Sequence, residues 1–157
     1  MFNFSHVSSL GKMIALLSRM NHKYIDTELS DLNFGPGQVP ILMILYHHRG
    51  INQSDLAQRI GVDRTTIART IKKLISEGLV ERKQNPNRLT EYGIYLTSQG
   101  REIYPRVMKT LQHWTEILLE GFSKDEKDQL YSLLSRSLEN GARHTQGETF
   151  LCHIKLT

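Results

Sequence analysis

The chain has 157 residues, a mass of 18.1 kDa and one cysteine, Cys152. One ordinary domain fits that length, and a lone thiol excludes an internal disulfide framework or a cysteine zinc finger. A hydrophobic share of 39% and a charged share of 23% exclude a disordered chain, and the net charge of +4 with pI near 9.3 leans toward polyanionic partners.

From the N-terminus, residues 8–32 read as one long helix, because Leu10, Ile14, Leu17, Met20 or Asn21, and Tyr24 recur every three or four positions. Asn33-Phe34-Gly35-Pro36-Gly37 breaks it with turn chemistry. A second helix, about 38–48, takes Gly37 as N-cap and Pro40 in its first turn, and Gly50 ends it. Asn52 caps a short helix, Gln53 to Arg59, that buries Leu56, Ala57 and Ile60. Gly61 stops it, and Asp63 caps the next helix, which reaches Glu77 and closes at Gly78. Two helices joined by so short a turn, with a glycine in it, form a helix-turn-helix.

The period then changes. Leu79-Val80-Glu81-Arg82 and Tyr92-Gly93-Ile94-Tyr95-Leu96 are β-rich runs joined by a polar loop containing Asn85-Pro86-Asn87-Arg88, a hairpin or wing. Thr97 caps a long helix from Ser98 to about Leu119, with a stripe of Ile103, Val107, Leu111, Trp114 and Leu118 and with Pro105 expected to kink or loosen its first turns. Ser123-Lys124-Asp125-Glu126 is a capping box opening a last helix with Leu130, Leu133, Leu134 and Leu138, which Gly141 ends. The tail from 142 has no clear period. The predicted class is mainly α with a small β-hairpin wing, a winged helix-turn-helix flanked by helices. Its divisions are an N-terminal helix (1–34), the winged unit (35–97), two C-terminal helices (98–141) and a tail (142–157).

The positive charge is concentrated. Between Arg59 and Arg88 eight Lys/Arg stand against three Asp/Glu. On a helical wheel of residues 63–77, Ile67, Ile71, Leu74 and Ile75 share the core sector, while Thr65, Thr66, Arg69, Lys72, Lys73 and Ser76 share the opposite one and Arg64 leads the first turn. A solvated helical face also carries Lys and Arg, but this one has no carboxylate. Arg pairs with guanine O6 and N7, Thr meets base edges or a thymine methyl, and Lys neutralises phosphate. Helix N-termini add N–H donors for phosphate, which brings in Ser54 at the start of the preceding helix. In the wing, Arg82, Lys83 and Arg88 are candidates for the minor groove, or simply keep a two-stranded edge soluble. Double-stranded DNA is the expected partner.

These residues resemble the MarR (multiple antibiotic resistance regulator) family. The resemblance is carried by Gln53-Ser54-Asp55-Leu56-Ala57-Gln58-Arg59-Ile60-Gly61-Val62-Asp63-Arg64-Thr65-Thr66-Ile67, by Leu74, by Glu77-Gly78-Leu79-Val80-Glu81-Arg82 and by Leu96-Thr97-Ser98-Gln99-Gly100, and it covers about 8–141. It implies a homodimer, a transcription regulator and most often a repressor, whose terminal helices interlock and present two winged helices to a palindromic operator. The dimer interface it implies includes Leu10, Ile14, Leu17, Trp114, Leu118, Leu130, Leu133 and Leu134. One feature departs from the family: its usual Asp-x-Arg at the wing is replaced here by Arg88-Leu89-Thr90.

The resemblance also implies release by a small phenolic or anionic effector bound between the terminal helices and the winged unit. Tyr24, Met43, Tyr46, His47 and Arg49 are candidates there, although each also serves as an ordinary core or junction residue. The seven histidines form no His-x₃-His pair, so no metal site is expected, and Cys152 beside His153 reads as an idle thiol. No catalytic motif or cofactor fingerprint is present. The longest apolar stretches, Met13 to Leu17 and Val39 to Tyr46, are far short of the roughly 20 residues that cross a bilayer. With its first cation at Lys12 the N-terminus is not expected to be a secretory leader, and the expected compartment is the cytoplasm. The competing readings are a winged-helix protein–protein adaptor that no longer reads DNA sequence, and a metal- or redox-responsive sensor.

Overall fold

A computed structural model describes residues 9–48, 50–85 and 88–144, without the side chains of 85 and 88–91. Helix α1 spans Leu10–Glu28 and is followed by single 3-10 turns at Ser30–Leu32 and Pro36–Gln38. Then come α2 (Val39–His47), α3 (Gln53–Ile60), α4 (Arg64–Ser76), the strands β1 (Val80–Asn85) and β2 (Arg88–Leu96), α5 (Ser98–Leu118) and α6 (Lys124–His144). The order expected from the sequence holds: helices, a helix-turn-helix, a two-stranded hairpin, two long helices.

The helix-turn-helix forms where its caps direct. The Asn52 side chain accepts from the Asp55 N–H at 2.8 Å, and that of Asp63 accepts from the Thr66 N–H at 2.8 Å. Each satisfies a first-turn donor that the helix cannot pair internally. Between them Gly61 ends α3 at φ 72, a left-handed conformation that costs a residue with a Cβ about 1 kcal/mol or more.

The two strands pair antiparallel from Val80 opposite Leu96 to Gln84 opposite Tyr92, with a register shift at Asn85, which faces Arg88. Ile51 bridges to Ile94 through an N–H···O bond of 2.8 Å, so the segment after α2 extends the hairpin's base. The Leu-Thr-x-x-Gly run ties this base to α5. Thr97 donates its hydroxyl to the Gly78 carbonyl at 2.6 Å and accepts from the Gly100 N–H at 3.0 Å. Gly100 lies so close to the Leu79 carbonyl that a Cβ there would collide with it. One hydroxyl therefore joins the end of α4 to the start of α5, and a glycine lets them approach.

One core holds these elements together. Ile25 and Leu29 of the α1 end, Phe34, Ile41, Leu42 and Leu45 of α2, Leu56 and Ile60, Ile67, Ile71 and Leu74, Val80, Ile94 and Leu96, and Val107 of α5 are all buried. The N-terminal half of α1 and all of α6 stay outside it: Leu10, Met13, Ile14, Leu17, Met20, Tyr131, Leu133, Leu134 and Leu138 are exposed, and no residue of α6 is buried.

Several expectations are corrected. The first helix stops at Glu28 rather than 32, because Arg106 reaches from α5 to the Glu28 carbonyl at 3.2 Å and forks onto Asp31 at 2.6 and 2.7 Å. The second begins at Val39 with Gln38 as its N-cap, since Pro36–Gln38 forms a separate turn in which the Gly35 N–H donates to Gln38 Oε1 at 2.7 Å. The third runs one residue further, to Ile60, and the strands extend to Asn85 and back to Arg88. Ile75 is exposed, because it lies about 80° round the helix from Ile67, at the sector's edge. Helix α6 continues past Gly141 to His144, an exposed interior glycine costing only about 1 kcal/mol against alanine. The remaining tail, with Cys152 and His153, lies outside the described residues, as does Arg49.

Candidate nucleic-acid interface

Helix α4 buries Ile67, Ile71 and Leu74 and thereby turns Arg64, Thr65, Thr66, Arg69, Lys72, Lys73 and Ser76 outward, all exposed. Its two flanking acids are both engaged. Asp63 is spent on the cap, where the Thr66 hydroxyl donates to it at 2.6 Å alongside the Thr66 N–H, and these bonds hold its carboxyl below the usual range. Glu77 is turned inward, with its side chain only 13% exposed. The outward face between them is cationic and hydroxylic without a carboxylate.

The seven outward residues are not equivalent. Arg64, Arg69 and Lys72 make no hydrogen bond or ion pair with the described residues, which leaves their cations available to an incoming polyanion. Thr66 has its hydroxyl on Asp63. Lys73 leans toward Glu77 at 3.6 Å and Gln38 Oε1 at 3.4 Å, so part of its charge is already answered. The Ser76 hydroxyl donates to the Lys73 carbonyl at 2.7 Å. Ser54 is exposed in the first turn of α3, next to Asp55, whose carboxylate accepts from Asn52 at 2.9 Å. A phosphate at that helix start would meet both the N–H donors and this acid.

In the hairpin, alternation puts Val80, Arg82 and Gln84 on one face with Leu96, Ile94 and Tyr92 opposite them. The base of that face is core, and Arg82 with Tyr92 continues it outward, the guanidinium 4.9 Å from the ring centre. Sequence reading singled out Arg82 but missed its aromatic partner, which only the strand register brings into reach. Lys83 is on the other face and pairs with Glu81 at 2.6 Å. Arg88 opens β2, and its side chain lies outside the described residues.

The effector candidates fall into two places. Tyr46 stacks on Tyr104 of α5 with ring centres 3.6 Å apart and planes 5° from parallel, and His47 Nε2 is 3.2 Å from the Tyr104 hydroxyl. The Arg101 guanidinium lies 6.0 Å from the Tyr46 ring. Burial, and then the neighbouring Tyr46, push the Tyr104 phenol above its ordinary pKa. Tyr24 is elsewhere, stacked on Trp114 at 4.8 Å, and Met43 packs half-buried against the core. Tyr104 and Arg101 carried no signal of their own in the sequence, because their pairing with Tyr46 spans more than fifty residues.

Among the described residues no group of His, Cys, Asp and Glu is arranged to hold a metal ion, and no helix is long and apolar enough to cross a membrane.

Comparison with known proteins adds an independent view of this geometry. The MarR family model matches residues 35–87, the stretch from the corner before α2 to the hairpin. The uncharacterized HTH-type transcriptional regulator YybA of Bacillus subtilis (strain 168) is 34% identical over 127 residues, covering 81% of this chain and 85% of its own. Among solved structures, a MarR transcriptional regulator from Methanosarcina mazei Go1 superposes with TM-score 0.79 at 34% identity, over 87% of this chain and 98% of its own. A structure described as a MarR family transcriptional regulator from Listeria monocytogenes, complexed with a 26mer DNA, superposes with TM-score 0.76 at 27% identity, over 87% and 91% of the two chains.

Proposed function

The chain belongs to the MarR family of transcriptional regulators, which are DNA-binding proteins rather than enzymes, and on that premise we propose that it is a homodimeric repressor of a palindromic operator. Each protomer lays α4 in a major groove, with Arg69 and Arg64 on base edges and Lys72 on phosphate. Arg82, steadied by Tyr92, follows the backbone beside the minor groove, with Arg88 and Lys83 at the wing and Lys73, Thr65, Thr66 and Ser54 completing the footprint. The observation that carries the reading is the outward face of α4, whose cations at Arg64, Arg69 and Lys72 are unanswered among the described residues while both flanking acids are spent.

The homodimer is supported by α6. Most helical stability in proteins comes from packing an amphipathic face, yet no residue of α6 is buried, and its leucines together with those of early α1 leave a broad apolar surface uncovered. On this reading 1–34 and 98–141 are the dimerising arms of a winged unit at 35–97. A small phenolic or anionic effector fits the α2–α5 junction, where Tyr46, Tyr104, His47 and Arg101 combine aromatic faces with a cation, although a planar anion must part the tyrosine stack to enter.

The test is selection of a randomised duplex library by purified protein at about physiological salt, with sequencing of what it retains. A palindrome with half-sites about one helical turn apart is the expected outcome. Arg69→Ala should cost about 1–3 kcal/mol on that site and relax one position of it. Recovery of no enriched sequence would overturn the reading and leave the basic face as a general electrostatic surface.

A further inference from the structure

Gln38 is the one buried polar side chain of the core among the described residues, 3% exposed. Every bond of its amide leads somewhere. Its Oε1 accepts from the Gly35 N–H at 2.7 Å and from Lys73 at 3.4 Å, and its Nε2 donates to Glu77 Oε2 at 2.7 Å. The other Glu77 oxygen accepts from Asn33 Nδ2 at 3.0 Å, and Asn33 itself is held at φ 51. The corner that follows α1 is thus bonded directly to the C-terminal end of α4. Its opposite side is fastened to α5, where Arg106 forks onto Asp31 and also reaches the Glu28 carbonyl.

We propose that Gln38 and Glu77 are positioning residues for DNA reading: Glu77 bonds Asn33 of the arm across the boundary, Gln38 orients that carboxylate from the winged side, and together they fix the angle between α4 and the helical arm and so set the separation of the two recognition helices in the dimer. This rests on the homodimer reading above and deepens it. The argument is one of directionality. Apolar packing between the winged unit and the arm is attractive but indifferent to small rotations, whereas a hydrogen bond weakens steeply with angle and distance. A buried amide is seldom worth more to stability than an apolar side chain of similar volume, so its place here asks for a reason other than stability. Lys73 takes part as the counter-ion that lets the Glu77 carboxylate sit inward, which makes it a weaker DNA contact than Lys72.

The test uses the full chain with Gln38→Leu and Glu77→Gln, variants chosen to keep shape. Thermal unfolding is measured first. Affinity is then measured for a duplex with a single half-site, and for the selected palindrome with its half-sites at the best spacing and one base pair closer or farther. Both variants should keep the parent's single-half-site affinity within about twofold, while the preference for the best spacing over its neighbours falls about threefold to tenfold. An unchanged spacing preference in folded variants would overturn the proposal, as would a loss confined to half-site affinity, which would mean the network only supports α4. Failure of both variants to fold would overturn it too, assigning the network to stability. A parent that shows no spacing preference would remove the dimeric reading beneath it.

Discussion

Leu29, Leu42, Leu56 and Leu74 in and around the winged unit are fully covered, whereas Leu133, Leu134 and Leu138 of α6 remain 41–58% exposed. Leu56 of α3 and Leu74 of α4 sit on apolar helix stripes just as the α6 leucines do, so pattern alone does not separate them. What separates them is whether another element of the same chain lies within reach. The winged unit has helices on one side and a hairpin on the other, and each leucine it buries contributes about 1.5–3 kcal/mol. Helix α6 has the stripe without the covering. The comparison teaches that an amphipathic stripe predicts burial and leaves open against whom, and that the homodimer reading supplies the missing surface for one half of the molecule only.

Three substitutions break or sharpen that contrast. The largest effect is expected inside the winged unit: Leu56→Ala should cost about 2–5 kcal/mol in denaturant unfolding, with no dependence of that loss on protein concentration. Next is α6, where Leu134→Asp should shift the protein to a monomer by sedimentation and weaken binding to the palindrome roughly a hundredfold through lost bivalency, while amide exchange in α3 and α4 stays slow. A dimer that persists in that variant would move the interface elsewhere. The smallest belongs to the seam between the regions. The Arg106 hydrogen bond holds the Asp31 carboxyl below its ordinary pKa, so the pair's contribution is present above the usual carboxylate range and is lost as pH falls through the lowered value. Asp31→Asn should therefore flatten the acid limb of the melting-temperature profile and converge with the parent at the lowest pH. Since both side chains are about half exposed, the difference should be small and should shrink in high salt.

The features legible in the sequence are those with short reach. The caps at Asn52, Asp63, Thr97 and Ser123 bond three residues ahead, so four helix starts were readable from spacing alone. The outward face of α4 was likewise readable from its wheel, as were the buried Leu56, Ala57 and Ile60. What the sequence concealed depends on partners far along the chain. Arg106 ends α1 from more than seventy residues away, Glu77 gathers Asn33 and Gln38 across some forty, and Tyr104 finds Tyr46 across nearly sixty. The extra length of the wing has a different cause. Lys83 to Asn85 are polar and lack alternation, yet they extend β1 because their ladder partners on β2 are in place.

The stack of Tyr24 on Trp114 joins the C-terminal part of α1 to α5, and Trp114 is the chain's single tryptophan. The molecule thus carries one indole chromophore, placed in the helical arm and away from the winged unit. Excitation at the red edge of the indole band therefore reports on the arm alone, while far-ultraviolet dichroism reports on all the helices. Recorded on one sample, the two signals distinguish an arm that loosens by itself from a molecule that melts as a whole, with no dye attached and no residue replaced.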